Sequence, residues 1–241
     1  MKSEAIVQAE EVRATQRMKR NQAWQIVFIA LFTSLLAFFV LIITMVELEG
    51  SKPKRDYQRL VNNLYQDSVH LKKQLGLEWL HVENTLSKGV RFTLDESDLA
   101  KQDLFAPARA RVNPRYLPYI NRFVQFLDEL DLPTYGQRHQ KLVNSILRPD
   151  EKFQVTIRVE GHTDASPLAK TALYRSNFEL STFRAYAIMS LLKLYTGLPN
   201  HFFAIAGYGS FRPVTENPLE PENRRVEIYL VPQLVPIEEG P

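Results

Sequence analysis

Two short stretches concentrate the side chains that could do chemistry: VEGHTDASP, Val159 to Pro167, and SNFELSTFRA, Ser176 to Ala185. Gly161 permits a sharp exit from a strand, which would leave His162, Thr163 and Asp164 on a loop at its carboxyl end. Arg184 follows about two turns into the next helix. A carboxylate on such a loop and a guanidinium on such a helix can meet across a cleft, one accepting from an ammonium, the other forking onto a carboxylate. That combination suits a zwitterionic amino-acid head group. The competing reading is that Asp164 and Arg184 simply pair with each other.

Other chemistries find less support. His162 beside Asp164 could hint at a metal, but the five histidines (His70, His81, His139, His162, His201) show no paired ligand spacing, so no metal site is expected. Gly207-Tyr208-Gly209 begins like a nucleotide loop, yet Pro213 follows where a helix should start and the third glycine is missing. There is no G-x-S-x-G elbow and no cysteine, so neither a catalytic nucleophile nor a cofactor is expected. The net charge of +3 comes from interspersed signs without a basic, aromatic-laced stripe, which argues against nucleic acid as a partner.

The elements that must position these residues are legible in the apolar rhythm. Alternation at Val90, Phe92 and Leu94 predicts a half-buried strand, and Phe153, Val155, Ile157 and Val159 predict a second. Between them comes the loop LFAPARARVNP. After it a helix has Pro118 in its first turn and an apolar face of Ile120, Phe123, Val124, Leu127 and Leu130. A helix opening on the Ser176/Glu179 capping box closes at Gly197 before Pro199, with Leu180, Ala187, Ile188, Leu191 and Tyr195 on one face. Strands at Phe202 to Gly209 and Arg225 to Val231 complete the order β-α-β-α-β-β, with a short extra helix around Gln137 to Leu147. The expected class is an α/β sandwich with helices on one face of a sheet.

Upstream, FIALFTSLLAFFVLIITM lies in an uncharged stretch from Ala23 to Val46. At about 1.5 Å per residue this spans roughly 36 Å, enough to cross a lipid bilayer, and no A-x-A cleavage pattern follows. Ala23, Val27, Ala30, Ser34, Ala37, Leu41 and Thr44 recur as a seam of mostly small residues, which predicts a parallel homodimer of membrane helices. Positive charges flank both ends almost equally, so charge alone does not orient the helix. From Asp56 to about Leu80, Leu60, Leu64, Leu71 and Leu75 form one apolar stripe, read either as facing a partner helix or as a plain amphipathic stalk.

The blocks GHTDAxP, SNxELSxxRA, GYGxxRPV and NRRVEI, in order from Gly161 to Ile228, resemble the OmpA-like peptidoglycan-binding domain in the form carried by MotB-type flagellar stator proteins. The resemblance implies that Asp164 and Arg184 hold the free amino-acid end of diaminopimelate in the stem peptide of the cell wall. Thr163 of the GHTD block, Asn177, Arg224 and Arg225 join them around the cleft, and Asn223 matches the first residue of NRR. The same resemblance implies an inner-membrane protein organised as a cytoplasmic segment 1–22, a transmembrane helix 23–46, a periplasmic helical linker 47–88, the wall-binding domain 89–232 and a tail 233–241. An insertion between Leu130 and Phe153 departs from the family pattern. The membrane helix also resembles that of the stators, but their ion-carrying aspartate falls on Ala30, whose methyl group cannot bind an ion. Two functions stay open: a non-enzymatic tether to peptidoglycan, or a stator subunit with a MotA-like partner.

Overall fold

A computed structural model describes residues 2–85, 87–94 and 104–237 of the chain. It divides into two compact units, residues 1–52 and 53–241. Helix α1 (Lys2–Gln74) contributes to both, and Pro53, which cannot donate to a helical carbonyl, falls at the division.

In the first unit, the 23 residues Trp24–Val46 are all exposed and none is charged. They span about 35 Å at ~1.5 Å per residue, more than the ~30 Å of a hydrocarbon core. Oγ1 of Thr33 donates to the carbonyls of Ile29 (2.9 Å) and Ala30 (3.0 Å), and that of Thr44 to the carbonyl of Leu41 (2.8 Å). These hydroxyls therefore need no outside partner in an apolar medium. Val27, Ala30, Ser34, Ala37, Leu41 and Thr44 of the expected seam are exposed, while the side chain of Ala23 lies outside the described residues.

The second unit is a mixed α/β layer structure. Its five-stranded sheet comprises β1 (Leu80–Asn84), β2 (Val90–Leu94), β3 (Glu151–Gly161), β4 (Phe203–Gly207) and β5 (Val226–Pro236), in the order β1-β2-β5-β3-β4. Only β3 and β4 run parallel, joined through helix α5 (Asn177–Thr196); the other pairings are antiparallel. The alternating apolar residues Val155, Ile157, Val159, Val90, Phe92 and Leu230 meet the buried face of α2 (Leu117–Leu130) in a common core. Phe92 packs edge-on against Phe123 and Phe126, with ring centroids 5.6 and 5.5 Å apart. Ser176 caps α5 by accepting from the amide of Glu179 (3.1 Å), and Gly197 takes the left-handed conformation at its end, φ 66°.

Several expectations need correction. Residues 80–84 are not helical linker: they form β1, a strand beyond the expected set, because Gly76 ends α1 with φ 62° and the chain then pairs with β2. Residues 53–74 are likewise part of the folded unit. Leu60 and Leu64 are fully buried, and Leu71 and Leu75 pack on the same core, so the apolar stripe faces the domain itself. The insertion after Leu130 supplies part of that seat through α3 (Tyr135–Arg138) and α4 (Gln140–Ile146). Tyr135 donates to Asp67 (3.2 Å), and Ser145 to Asp56 (2.7 Å). The expected tail is shorter as well, since β5 continues to Pro236. Pro232 is tolerated there because the pairing of β5 with β2 ends at Leu230, opposite Val90, and its carbonyl accepts from Tyr57 of α1 (3.0 Å). In α5 the buried stripe is Leu180, Ser181, Arg184, Ala185, Ile188 and Leu192, while Tyr195 is exposed.

The reason for that shift is a close approach. Gly161 and Gly207 sit opposite each other in register at the carboxyl ends of β3 and β4. A Cβ at Gly161 would fall 2.0 Å from the carbonyl oxygen of Ser181, and one at Gly207 2.1 Å from Oγ1 of Thr182. Gly161 thus serves helix-to-strand contact rather than a turn.

Two outcomes follow for a fragment of residues 53–241. Leu64→Ala should lower its unfolding free energy in urea by about 2–5 kcal/mol, whereas a change below about 0.5 kcal/mol would mean that this helix stands apart from the core. Gly161→Ala should cost about 1–3 kcal/mol, because the clash is with helix backbone, which cannot move aside alone.

Candidate functional site

The close seating of α5 brings its first two turns against the loop that follows β3. That loop is fixed by backbone bonds: the amide of His162 donates to Arg225 (2.9 Å), Thr163 to Gly209 (2.9 Å) and Ala165 to Pro218 (2.8 Å). Asn177, the first residue of α5, staples it from the side, donating to the carbonyls of Ser166 (2.9 Å) and Asp164 (3.3 Å). Thr163, Asp164, Asn177, Arg184 and Arg224 all line one cleft of about 310 Å³, closed on its far side by Phe105, Pro107 and Ala108.

Asp164 is nearly buried. Its Oδ1 accepts from the amide of Ser166 (3.1 Å) and its Oδ2 from Nη1 of Arg224 (3.0 Å). Arg224 is therefore a direct counter-ion of Asp164, closer than the rim position read from the sequence. Arg184 is 4% exposed; its Nε donates to the carbonyl of Arg109 (3.0 Å), and its guanidinium lies 5.1 Å from the Phe105 ring centre. The hydroxyl of Thr163 is buried without a hydrogen-bond partner among the described residues. A cleft with a carboxylate, two guanidinium groups, an unsatisfied hydroxyl and an apolar wall can receive a small ligand bearing both charges.

Arg225 does not join this group. Neighbouring residues of an extended chain point to opposite sides, so Arg225 turns to the other face of the sheet and donates through Nε to Glu227 (2.7 Å). Asn223 is buried and structural: its side chain bonds Val214, Thr215 and Asn217 and shapes the loop before β5.

The face that Arg225 joins holds a network the sequence reading missed. Glu160 and Glu227 are opposite each other in register on β3 and β5, both buried. Glu160 is met by Lys88 (3.0 Å) and Arg158 (2.9 Å), and Glu227 by Arg225, Arg91 (3.3 Å) and the Tyr229 hydroxyl (2.6 Å). His162 stacks on Tyr208 at 5.3 Å and holds Nε2 3.7 Å from Glu227, beyond hydrogen-bond length. Glu160, His162 and Glu227 thus have ligand-type atoms within 4.8 Å of one another. Their negative charge is already matched by four cationic side chains, so the arrangement reads as a structural ion network. Nothing local in the sequence could have found it, because Glu227 is brought to Glu160 only by strand pairing.

Burial alone would push the Glu227 carboxyl up, but nearby His162, the Tyr229 hydroxyl and Arg225 together hold it well below its ordinary value of 4.5. A carboxyl held down in the folded state adds stability that is present above its unfolded pKa and is lost as pH falls below that value. Wild-type residues 53–241 should therefore lose urea resistance as pH drops below about 4.5, and Glu227→Gln should flatten that slope. At pH 7 the same variant should be less stable by about 3–5 kcal/mol, since it leaves buried cations without their counter-charge; an unchanged pH slope would refute the assignment.

With this geometry in place, comparison with known proteins gives four relations. The model of the OmpA family matches residues 105–227. Among whole proteins, the chain is 26% identical over 225 residues to the uncharacterized protein YtxE of Bacillus subtilis strain 168, covering 87% of this chain and 88% of that one. It is 36% identical over 102 residues to Motility protein B of Helicobacter pylori strain ATCC 700392 / 26695, covering 41% of this chain but only 37% of the relative. Among solved structures, a putative MotB-like protein from Desulfovibrio vulgaris superposes with a TM-score of 0.52 at 18% identity, covering 75% of this chain and 99% of that one, a likeness of fold.

Proposed function

We propose, from the premise that this chain belongs to the OmpA family, that it is a non-enzymatic, membrane-anchored tether whose domain grips the stem peptide of the cell wall. The observation that carries this reading is the cleft in which Asp164, Arg184, Arg224, Asn177 and Thr163 converge. The ligand we assign to it is the free amino-acid end of diaminopimelate. In this reading Asp164 accepts from the ammonium, Arg184 and Arg224 draw the carboxylate, and the Thr163 hydroxyl donates to the same group. Phe105 supplies an apolar wall that excludes water and strengthens those charge-assisted bonds.

A wall-binding domain requires the side of the membrane that faces the wall. The helix Trp24–Val46 then crosses the inner membrane with residues 1–22 in the cytoplasm and the second unit in the periplasm. Two such helices, packed through the small residues Ala30, Ser34 and Ala37, would make the protein a homodimer with two wall-binding domains, and so gain avidity for a polymeric wall.

The likeness to Motility protein B favours a second reading, a stator subunit working with a MotA-like partner. That role needs an ion-carrying group within the bilayer. Residues 24–46 include no acid, and Ala30 stands where the stator pattern has aspartate. The tether rests on side chains that are present, and we take it as the biochemical activity.

The detergent-solubilised chain should sediment with diaminopimelate-type sacculi. Asp164→Asn and Arg184→Ala should each lower the bound fraction by at least about tenfold, the equivalent of one charged hydrogen bond. Sedimentation equal to wild type in both variants would sink the assignment.

A further inference from the structure

Beyond the cleft, the loop that closes it opens on its other side into a larger groove of about 1010 Å³. Phe105 and Pro107 line both spaces, so the cleft and the groove are neighbours on the two sides of one wall. The loop is a narrow hairpin: Phe105 bridges Val112, the amide of Asn113 donates to Leu104 (2.9 Å) and that of Arg109 to Ala106 (3.0 Å). Ala108 takes a left-handed conformation, φ 51°, where glycine would be the ordinary choice. Downstream of that turn, Arg109 and Arg111 are two residues apart, both exposed and both lining the groove. Among the described residues neither guanidinium has a carboxylate partner. Tyr174 closes the opposite side, its ring held 5.3 Å from that of Phe183.

We infer that this groove is a second subsite for the same wall peptide, and that Arg109 and Arg111 bind a carboxylate on the residue next to the one held in the cleft. The inference rests on the wall-binding reading above. Its physical ground is the placement of paired guanidinium groups, the residue type suited to forked recognition of carboxylates, in a groove that shares the wall Phe105 and Pro107 with the proposed zwitterion cleft. The stem peptide offers a matching group: the glutamate joined to diaminopimelate through its side chain keeps its α-carboxylate free. Amidation of that carboxylate, which removes the charge and keeps the shape, would then be read by this groove and would set which walls the protein grips.

The test uses the full chain in detergent and three soluble probes: meso-diaminopimelate, the tripeptide L-Ala-γ-D-Glu-meso-diaminopimelate, and that tripeptide amidated at the glutamate α-carboxylate. Calorimetry should show the wild type binding the acid tripeptide roughly tenfold more tightly than the amide, the value of one charged hydrogen bond. Arg109→Ser/Arg111→Ser should bind the two tripeptides equally and free diaminopimelate as the wild type does. Arg109→Lys/Arg111→Lys should recover part of the preference. Equal binding of both tripeptides by the wild type, or a preference that survives in the serine variant, would overturn the subsite while leaving the cleft intact. An equal loss for all three probes in the serine variant would also overturn it, assigning the arginines to the cleft. A wild type that binds no probe, or Asp164→Asn that binds all three unchanged, would overturn the cleft and with it the groove.

Discussion

The site depends on two missing side chains. Gly161 and Gly207 face each other across β3 and β4, and only because neither carries a Cβ can the backbone of α5 rest on the ends of both strands. Everything in the cleft follows from that seat. Ser181 accepts from the amide of Gly209 through its hydroxyl (2.9 Å), tying the loop after β4 to the helix, and Gly209 in turn receives the amide of Thr163. Helix, loop after β3 and loop after β4 are therefore one hydrogen-bonded body. Arg184, one turn beyond Ser181, is carried to the cleft by a helix whose height above the sheet is set by contact with the two glycines. The zwitterion binding proposed for this pair would depend on that placement, since hydrogen bonds weaken steeply with misplacement.

Behind the cleft the sheet faces a harder electrostatic problem. Two buried glutamates stand side by side on adjacent strands, an arrangement that is repulsive by itself. It is held by cations drawn from separated parts of the chain: Lys88 from the β1–β2 turn, Arg91 from β2, Arg158 from β3 and Arg225 at the start of β5. Such a network contributes little net stability relative to an apolar core, because desolvation offsets much of the attraction. What it does supply is register. A slip of β5 by one residue would turn Glu227 into the apolar layer and Ile228 out of it. His162 and Asp164, two residues apart, hang from the end of the strand so fixed. The ion network thus sets the floor on which the binding loop stands.

Legibility in the sequence followed the range of the interactions. Period-two alternation in β2 and β3, the stripe on α2 and the Ser176 cap are local, and each is where the spacing put it. The four motif blocks grouped Asp164, Arg184, Asn177 and Arg224, and all four line one cleft. The misses were long-range. LEWLHVEN after Gly76 has too few residues to show alternation, and β1 exists because β2 offers it an edge. The leucines of α1 showed their periodicity but not their partner, which is a core that reaches as far along the chain as Leu230. In α5 a ranking by hydrophobicity chose Tyr195 over Ser181 and Ala185, whereas contact with glycine strands selects small residues over large ones. Arg225 was grouped with Arg224 by motif, and strand geometry separates adjacent residues.

The apolar segment Trp24–Val46, long enough to cross a membrane, presents the opposite case. In the second unit the buried glutamates are met by cations from other elements, Glu160 by Lys88 and Glu227 by Arg91. Across Trp24–Val46 the side chains are uncharged and exposed, and two of the three hydroxyls are satisfied by their own backbone. Such a segment suits an apolar medium, with Ser34 the one hydroxyl whose hydrogen bond is not supplied by those turns. Ser34, the third hydroxyl, stands one turn from Ala30, the position where an acid would have required an ion pathway. In the tether proposed above, specificity accordingly resides in the domain: the helix would fix where the protein is held, and the charges around Asp164 and Arg184 what it can hold.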